Sequence, residues 1–218
     1  MVFDPEYALE ILPRLLAATV VTIEATLLGF ALAAVLGLLV AALRMAPYRP
    51  LSAGVGMVTE AIRATPLLIQ LFLVWYVVGP KLPAIPSAFV VGVLVLGIHY
   101  CTYCSEVYRA GITGVPRGQW EAARALNMTA VTTWRRIILP QAIPPVIPAL
   151  GNYLIAMLKE TPLLFTITVV ELFATSQIIA GETYRLFEPI LLVGLIFLLL
   201  SYPAALLVRH LEMRYAGA

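Results

Sequence analysis

Long apolar stretches with few charges constrain the fold of this 218-residue chain more than any other feature. A helix needs about 20 apolar residues to cross the hydrocarbon core of a bilayer. The sequence therefore predicts an all-α polytopic membrane protein with five transmembrane helices. The predicted spans are 15–43, 67–79 extended by residues from 51–62, 86–106, 141–158 and 189–208.

Composition supports this class, because 61% of the residues are hydrophobic, only 12% are charged and the mean hydropathy is +0.95. Segment 163–174 is apolar but only about three turns long, so we expect an interfacial or re-entrant helix there. The first residues include Asp4, Glu6 and Glu10 instead of a basic start, which argues against a cleavable signal peptide. One domain is predicted over residues 1–218.

Lysine and arginine are distributed unevenly between the predicted loops, and cytoplasmic loops carry an excess of both. With five spans, ten of the fourteen basic residues fall on one side of the membrane. The pattern predicts an N-terminus outside and a C-terminus in the cytoplasm, and it gives no indication of nucleic-acid binding. The ten residues are Arg44, Arg49, Arg63, Arg109, Arg117, Arg124, Arg135, Arg136, Arg209 and Arg214.

A polar segment between the third and fourth predicted spans has the pattern of a short amphipathic helix. We expect this helix over residues 119–126, where Trp120, Ala123 and Leu126 recur at helical spacing on one side. Asn127 follows, and asparagine tolerates the left-handed conformation that a C-terminal cap needs.

A second amphipathic turn follows the first. It carries Trp134, Ile137 and Ile138, and we expect it to end at Pro140. Such a module, held outside the bilayer, is shaped to dock into a groove on a partner protein. An amphipathic connector that rests on the membrane surface is the alternative interpretation.

The same segment contains Glu-Ala-Ala, three residues, a turn residue, nine residues and Ile-x-Leu-Pro. This pattern resembles the coupling loop of ABC importer permeases. The family pattern has Gly at the turn, where this chain has Asn127, and both residues can occupy the same backbone region. The resemblance implies a type I permease domain whose loop at about 113–140 docks an ATPase subunit. The residues it assigns to coupling are Gly118, Glu121, Ala122, Ala123, Asn127, Ile137, Leu139 and Pro140.

Other motifs resemble the polar amino-acid branch of ABC permeases. Residues 63–70 are similar to its R-G-T-P-L-L-x-Q motif, with Ala64 in place of Gly. Segment 106–119 resembles its E-x-x-R-x-G-I and P-x-G-Q elements, and segment 159–172 resembles its late K-[DE]-[TS] and E-L elements. The stretch from His99 to Trp120, with its Ala-Leu-Asn variant at 125–127, is most similar to permeases of ectoine/hydroxyectoine importers.

This resemblance implies several partners. They are ABC ATPase subunits, an extracytoplasmic solute-binding protein and a second, related permease chain that completes a heteromer. Membrane lipid surrounds the spans. No cofactor and no metal site is predicted.

Ionisable residues inside the third span are candidates for function, since they are unfavourable in lipid. His99, Tyr103 and Glu106 share one helical face. Arg109 is placed to form a structural pair with Glu106. A substrate contact and a hydrogen-bonded core position both remain open for His99 with Tyr103.

Polar residues near the other spans have similar alternatives. Glu60 and Arg63 are expected to pair, and Gln70 is expected to face protein, because an amide in hydrocarbon needs partners. Lys159 beside Glu160 would offer both signs of charge to a zwitterion. A lysine that extends to the membrane edge is the alternative.

The tetrapeptide Thr-Pro-Leu-Leu occurs at 65–68 and again at 161–164. Thr before Pro is typical of a helix start, with Thr as the N-cap. The two copies are either helix starts that line a transport route or two ordinary helix starts. The candidate substrate path therefore comprises Thr65, Gln70, His99, Tyr103, Lys159, Glu160 and Thr161.

Two further patterns concern the bundle. Pro140, Pro144, Pro145 and Pro148 predict a kink at the start of the fourth span. The lone C-x-x-C at 101–104 is interpreted as a pair of small core residues, because redox or metal chemistry needs a different setting.

These observations predict a permease subunit of an ATP-driven ABC importer in the bacterial inner membrane, which translocates a small zwitterionic solute such as ectoine, hydroxyectoine or a polar amino acid. The chain lacks a phosphate-binding loop, so ATP hydrolysis is assigned to a partner and this chain is not expected to be an enzyme. A stand-alone secondary transporter or channel is the alternative. An intramembrane enzyme is disfavoured, because no H-E-x-x-H or comparable arrangement is present.

Overall fold

The computed structural model describes residues 3–81 and 87–215, and the regular elements within them are all helical. Short non-α turns extend three of the α-helices. They are a π-helix at Leu73–Val78 followed by a 3-10 turn at Gly79–Lys81, a π-helix at Trp134–Ile138 and a 3-10 helix at Thr161–Ile167. The α-helices are α1 Pro5–Arg44, α2 Arg49–Ala64, α3 Leu67–Phe72, α4 Ala88–Thr113, α5 Arg117–Ala125, α6 Ala130–Thr133, α7 Leu139–Glu160, α8 Leu172–Thr183 and α9 Phe187–Tyr215.

Four helical stretches in the described part of the chain are long and apolar enough to cross a membrane. They agree with the first, third, fourth and fifth predicted spans. The second predicted span is a broken pair, because α2 and the helical stretch Leu67–Lys81 meet at an angle of 100°. The break falls at Thr65, whose backbone is extended, as expected for a residue before a proline. The four stretches are Pro5–Arg44, Ala88–Thr113, Ala130–Ile167 and Phe187–Tyr215.

The prediction of a short helix over 163–174 is wrong. The 3-10 helix that follows α7 ends at Ile167, the chain turns at Thr168 in a left-handed conformation, and α8 begins only at Leu172. The reason is a capping residue that the sequence interpretation missed. The fully buried carboxylate of Glu171 accepts the N–H groups of Phe173 and Ala174 at 2.9 and 2.7 Å and so starts α8.

A stripe of small residues brings α1 and α4 into the most extensive helix contact of the bundle. The stripe recurs every fourth residue and is buried along its whole length, which allows the two backbones to approach closely. A Cβ atom at Gly37 would lie 2.6 Å from the Cβ of Cys104. Cys101 and Cys104 are buried in this core, in agreement with their interpretation as core residues. The stripe is Ala25, Gly29, Ala33, Gly37 and Ala41.

Ion pairs join the first part of α1 to the end of α8 and to the turn that follows it. Asp4 contacts Arg185 at 3.0 Å, and Arg14 contacts Glu182 at 2.6 Å. The Tyr7 N–H group, with the Arg185 guanidinium, lowers the pKa of Asp4 below its ordinary value. The two ends of the described chain's helical sequence, the start of α1 and the region from α8 to α9, therefore meet at this end of the bundle.

Candidate functional site

The helical module between α4 and α7 has the cap predicted at Asn127. Helix α5 starts two residues earlier than expected, directly after Pro116. Asn127 has φ +50°. Its N–H donates to Arg124 O, and the Met128 N–H donates to Ala123 O, both at 3.0 Å. These two bonds form a Schellman motif, which satisfies carbonyl groups at the end of α5.

The module has a small apolar core of its own. The rings of Trp120 and Trp134 meet edge-on with centroids 5.4 Å apart. Ile138 is fully buried and packs with Val115 and Ala142. Helix α5 is thereby joined by packing to both α4 and α7.

One predicted orientation in the module is wrong. Ala123 is 2% exposed, as expected for the packed side, but Leu126 is 75% exposed. Leu126 lies instead on the outer side, at four-residue spacing from Ala122 and Gly118, which are also exposed. A Cβ added at Gly118 would meet no atom within 4 Å. The outer side of α5 is therefore a strip of small and apolar residues that nothing in the described chain covers.

Next to this strip, an open groove of about 620 Å³ lies between α5 and the α6 turn. Glu121 and Arg124 contribute charge to it, and Trp120 and Trp134 form its apolar floor. Leu139 and Pro140 are exposed, whereas Ile137 is half-buried. The structure thus brings the predicted coupling residues onto one exposed module, with Ala123 inside it.

The second turn does not end at Pro140. The π-helix at Trp134–Ile138 runs directly into α7, and Pro140 lies in the first turn of α7, where its missing N–H is tolerated. The Leu139 N–H donates to Trp134 O in the wide i→i−5 pattern. Pro144, Pro145 and Pro148 lie inside α7, within the continuous helical stretch 130–167.

Inside the bundle, Gln70 links the α2–α3 bend to α4. Its amide nitrogen donates to Ile62 O and to Thr65 Oγ1, each at 2.7 Å. Its amide oxygen lies 3.1 Å from His99 Nδ1. Gln70 therefore faces protein, as predicted, and the buried His99 has a hydrogen-bond partner.

Aromatic rings extend this polar chain toward α7. Tyr103 lies 5.4 Å from His99 and 5.3 Å from Tyr153, measured between ring centroids. The Tyr100 hydroxyl donates to Glu160 Oε2 at 2.8 Å. The contact between Tyr100 and Glu160 was missed from the sequence, because it depends on how α4 and α7 face each other.

The capping role predicted for the two Thr-Pro copies is wrong. Thr65 and Thr161 do not cap the helices that follow them, because their hydroxyls donate backward to Ile62 O and Leu158 O. Thr161 is fully buried. Lys159 is exposed, whereas the half-buried Glu160 accepts a hydrogen bond from Tyr100.

An ionic cluster joins three helices at the other end of α4. Arg109 contacts Glu106 at 2.7 Å and Arg63 contacts Glu60 at 2.6 Å, which confirms both predicted pairs. Arg44 and Arg63 also contact Glu106, from α1 and α2. Sequence reasoning missed this convergence.

Together the four membrane-length helices and the broken second span define a multi-pass, all-helical membrane protein. Residues 33–217 match the family model of binding-protein-dependent transport system inner membrane components. The chain belongs to this family. It is a permease subunit of an ABC importer and a multi-pass inner membrane protein.

Curated relatives resemble the chain over most of its length. "Probable amino-acid ABC transporter permease protein y4tG" of Sinorhizobium fredii is 44% identical over 95% of this chain and 89% of its own. L-cystine transport system permease protein TcyB of Bacillus subtilis is 40% identical over 74% of this chain and 68% of its own. Octopine transport system permease protein OccM of Rhizobium meliloti is 33% identical over 97% of this chain and 90% of its own.

Solved structures show the same architecture. The crystal structure of an amino acid ABC transporter with histidines contains a chain with a TM-score of 0.91 and 35% identity, matched over 98% of this chain and 100% of that one. A chain of the MetNI methionine ABC transporter has a TM-score of 0.63 at 19% identity, over 96% and 99% of the two chains, and shows the shared fold alone.

Proposed function

We propose that the exposed strip on α5 is the surface through which an ATPase subunit drives this permease. The observation that carries the proposal is that Gly118, Ala122 and Leu126 lie on one uncovered side of a helix whose other side is fixed by Trp120 and Trp134. Small residues let a partner approach the α5 backbone closely, and a rigid support lets force pass into α4 and α7.

The module at about 113–140 then lies in the cytoplasm, with the N-terminus outside. Ten of the fourteen basic residues support this orientation. Glu121, Asn127, Ile137, Leu139 and Pro140 complete the coupling surface or support its shape. The ATP is hydrolysed by the partner subunit, and each permease receives one such subunit.

The solute is proposed to be a small zwitterion, namely a polar amino acid or ectoine. The relatives named above are described for amino acids, L-cystine and octopine. The hydrogen-bonded side chains of Thr65, Gln70 and His99, with Tyr103 beside them, offer neutral donors and acceptors inside the bundle. Glu160 offers a carboxylate that is hydrogen-bonded to Tyr100. Lys159 and Thr161 contribute less, since the first is exposed and the second is buried.

Transport follows an alternating-access cycle. An extracytoplasmic binding protein delivers the solute to a pair of permeases, this chain and a second, related one. Closure of the ATPase subunits rocks the docking modules and exposes the route to one side and then the other. A stand-alone secondary transporter is the competing function, and it would depend on an ion gradient instead of ATP.

The docking proposal is tested with two matched glycine variants, Gly118→Trp and Gly181→Trp. A Cβ meets no atom within 4 Å at either position, so both variants are expected to fold. We expect Gly118→Trp to lose copurification of the ATPase subunit and ATP-dependent uptake, while Gly181→Trp keeps the ATPase. Retention of the ATPase by Gly118→Trp would contradict the docking surface.

The solute is tested by competition for uptake. Cells that express the complete importer take up labelled ectoine, and unlabelled polar amino acids are added in excess. Competition by one compound class and not the other identifies the solute. Uptake that is abolished by an ionophore while ATP is maintained would favour the secondary transporter.

A further inference from the structure

Glu106 on α4 is contacted by guanidinium groups from three helices. Its Oε2 accepts hydrogen bonds from Nε and Nη2 of Arg109 at 2.9 and 2.7 Å. Its Oε1 is contacted by Arg44 of α1 and lies 3.6 Å from Nη1 of Arg63 on α2. Glu106, Arg44 and Arg63 are each between 20% and 24% exposed at their side chains, so solvent screens this cluster only in part.

Helix α2 depends on these polar contacts for its position. Among its residues only Thr59 is buried, and the Thr59 hydroxyl donates back to Gly56 O within α2 itself. Polar contacts join α2 to three neighbouring helices. Arg63 contacts Glu106 of α4, Ser52 donates to Arg44 O of α1, and Ile62 O accepts a hydrogen bond from Gln70 of α3. The first two contacts involve residues of the cluster around Glu106.

The two ends of this connection lie next to the two functional regions. Helix α4 ends at Thr113, and only residues 114–116 separate it from α5, with Val115 packed in the apolar core of the module. Helix α2 ends at the 100° bend, where Gln70 is hydrogen-bonded to Ile62 O and to His99. A displacement of the end of α4 therefore reaches the bend through Glu106 and Arg63.

We infer that Glu106 is a positioning residue that holds α2 to the end of α4, so that movement of the docking module is transmitted to the polar residues at the α2–α3 bend. The inference rests on the proposed function, because it assigns the connection a role in transport. Arg63 makes the contact that transmits the movement to α2, since it alone of the three arginines belongs to α2.

The test separates transmission from simple stabilisation. Spin labels are placed on α2 at Met57→Cys and on α6 at Val131→Cys, both 75% exposed in the native chain. The full chain is reconstituted in nanodiscs with its copurified ATPase, and the label distance is measured with and without ATP and vanadate. For the native sequence we expect one narrow distribution of the label distance, both with and without ATP and vanadate. In Arg63→Gln we expect this distance distribution to be at least twice as broad.

Transport assays on the same complexes complete the test. For Arg63→Gln we expect uptake to fall at least tenfold while ATP hydrolysis stays within twofold of the native rate. Glu60→Gln is the matched control, because Glu60 also pairs with Arg63 but is 70% exposed and belongs to α2, so uptake is retained. Arg63→Lys keeps the charge and is expected to restore part of the uptake.

Three results would overturn the inference. They are an unchanged distance distribution in Arg63→Gln, native uptake by that variant, or a parallel fall of uptake and hydrolysis in proportion to folded protein. A native complex without ATP-dependent uptake would instead refute the proposed function. In that case the label distances of native chain and variant still decide whether Glu106 positions α2.

Discussion

Gly37 is a position of α1 at which the neighbouring helix α4 leaves little room for a side chain. A Cβ added there would lie 2.6 Å from Cys104 Cβ, 3.0 Å from Cys101 O and 3.2 Å from Ser105 N. Carbon atoms normally meet at about 3.5–4.0 Å. Two of the three neighbours are backbone atoms, so α1 and α4 must separate by about 1 Å to admit a methyl group.

Two opposing effects decide whether Gly37→Ala raises or lowers the free energy of unfolding. Replacing a helical Gly by Ala gains about 1 kcal/mol of helix propensity, whereas overpacking a tight contact costs typically 1–3 kcal/mol. The close approach to backbone places the cost at the upper end of that range, so we expect a net destabilisation of about 1.5 kcal/mol. For a domain of this size that corresponds to a midpoint lowered by about 3–6 °C.

Thermal unfolding in detergent, followed by circular dichroism, measures this difference. Gly54→Ala is the matched control, because Gly54 lies in α2 and a Cβ there meets no atom within 4 Å. The same chemical change is expected to leave its midpoint unchanged or raise it. If Gly37→Ala unfolds at or above the native temperature, the close packing of α1 on α4 is not what holds the two helices together.

Three further predictions concern the cap, the N-terminal ion pair and the polar chain. Asn127→Val is expected to lower the free energy of unfolding by about 1–2 kcal/mol, since φ is +50° there, whereas Asn127→Gly is expected to leave it unchanged. The thermal unfolding midpoints of the two variants measure this difference. Because Asp4 has a lowered pKa, its stabilisation is present above the ordinary carboxyl pKa of about 3.9 and lost as the pH falls through the folded-state pKa. The midpoint difference between native chain and Asp4→Asn is therefore expected to shrink as the pH falls below about 4 and to vanish below the folded-state pKa. Gln70→Leu leaves Ile62 O and His99 Nδ1 without this partner, and we expect a loss of about 1–3 kcal/mol in unfolding measurements, together with reduced uptake.

Each of these has a result that contradicts it. Equal midpoints for Asn127→Val and Asn127→Gly would show that the cap contributes nothing. A difference for Asp4→Asn that grows with acidity would reverse the sign derived from Arg185 and the Tyr7 N–H. Native stability and uptake in Gln70→Leu would exclude the Gln70–His99 contact from both folding and transport.

Local chemistry explains which parts of the fold were predictable. The length of the apolar runs sets the number of spans, and the left-handed cap at Asn127 needs only its own short segment. The orientation of Leu126 failed for a local reason too. Three-residue steps advance a helix by about 300°, so Leu126 lies about 120° away from Trp120 around the helix.

The contacts of Glu106 and Tyr100 could not be predicted in the same way. Arg44 is 62 positions away from Glu106 in the chain, and Glu160 is 60 positions away from Tyr100. Both contacts depend on which helices are neighbours and on how each is rotated. The small-residue stripe of α1, in contrast, is visible in the sequence as a four-residue repeat from Ala25 to Ala41.

The edge-on contact between Trp120 and Trp134 gives the chain a built-in optical reporter. The sequence contains three tryptophans, and two of them lie in this contact, beside the open groove of the module. Two of the three tryptophans therefore lie in the module that carries the proposed docking strip. Replacing Trp75 by Phe would leave only these two tryptophans, so that arrival of a partner subunit could be followed by tryptophan emission wavelength without any attached dye.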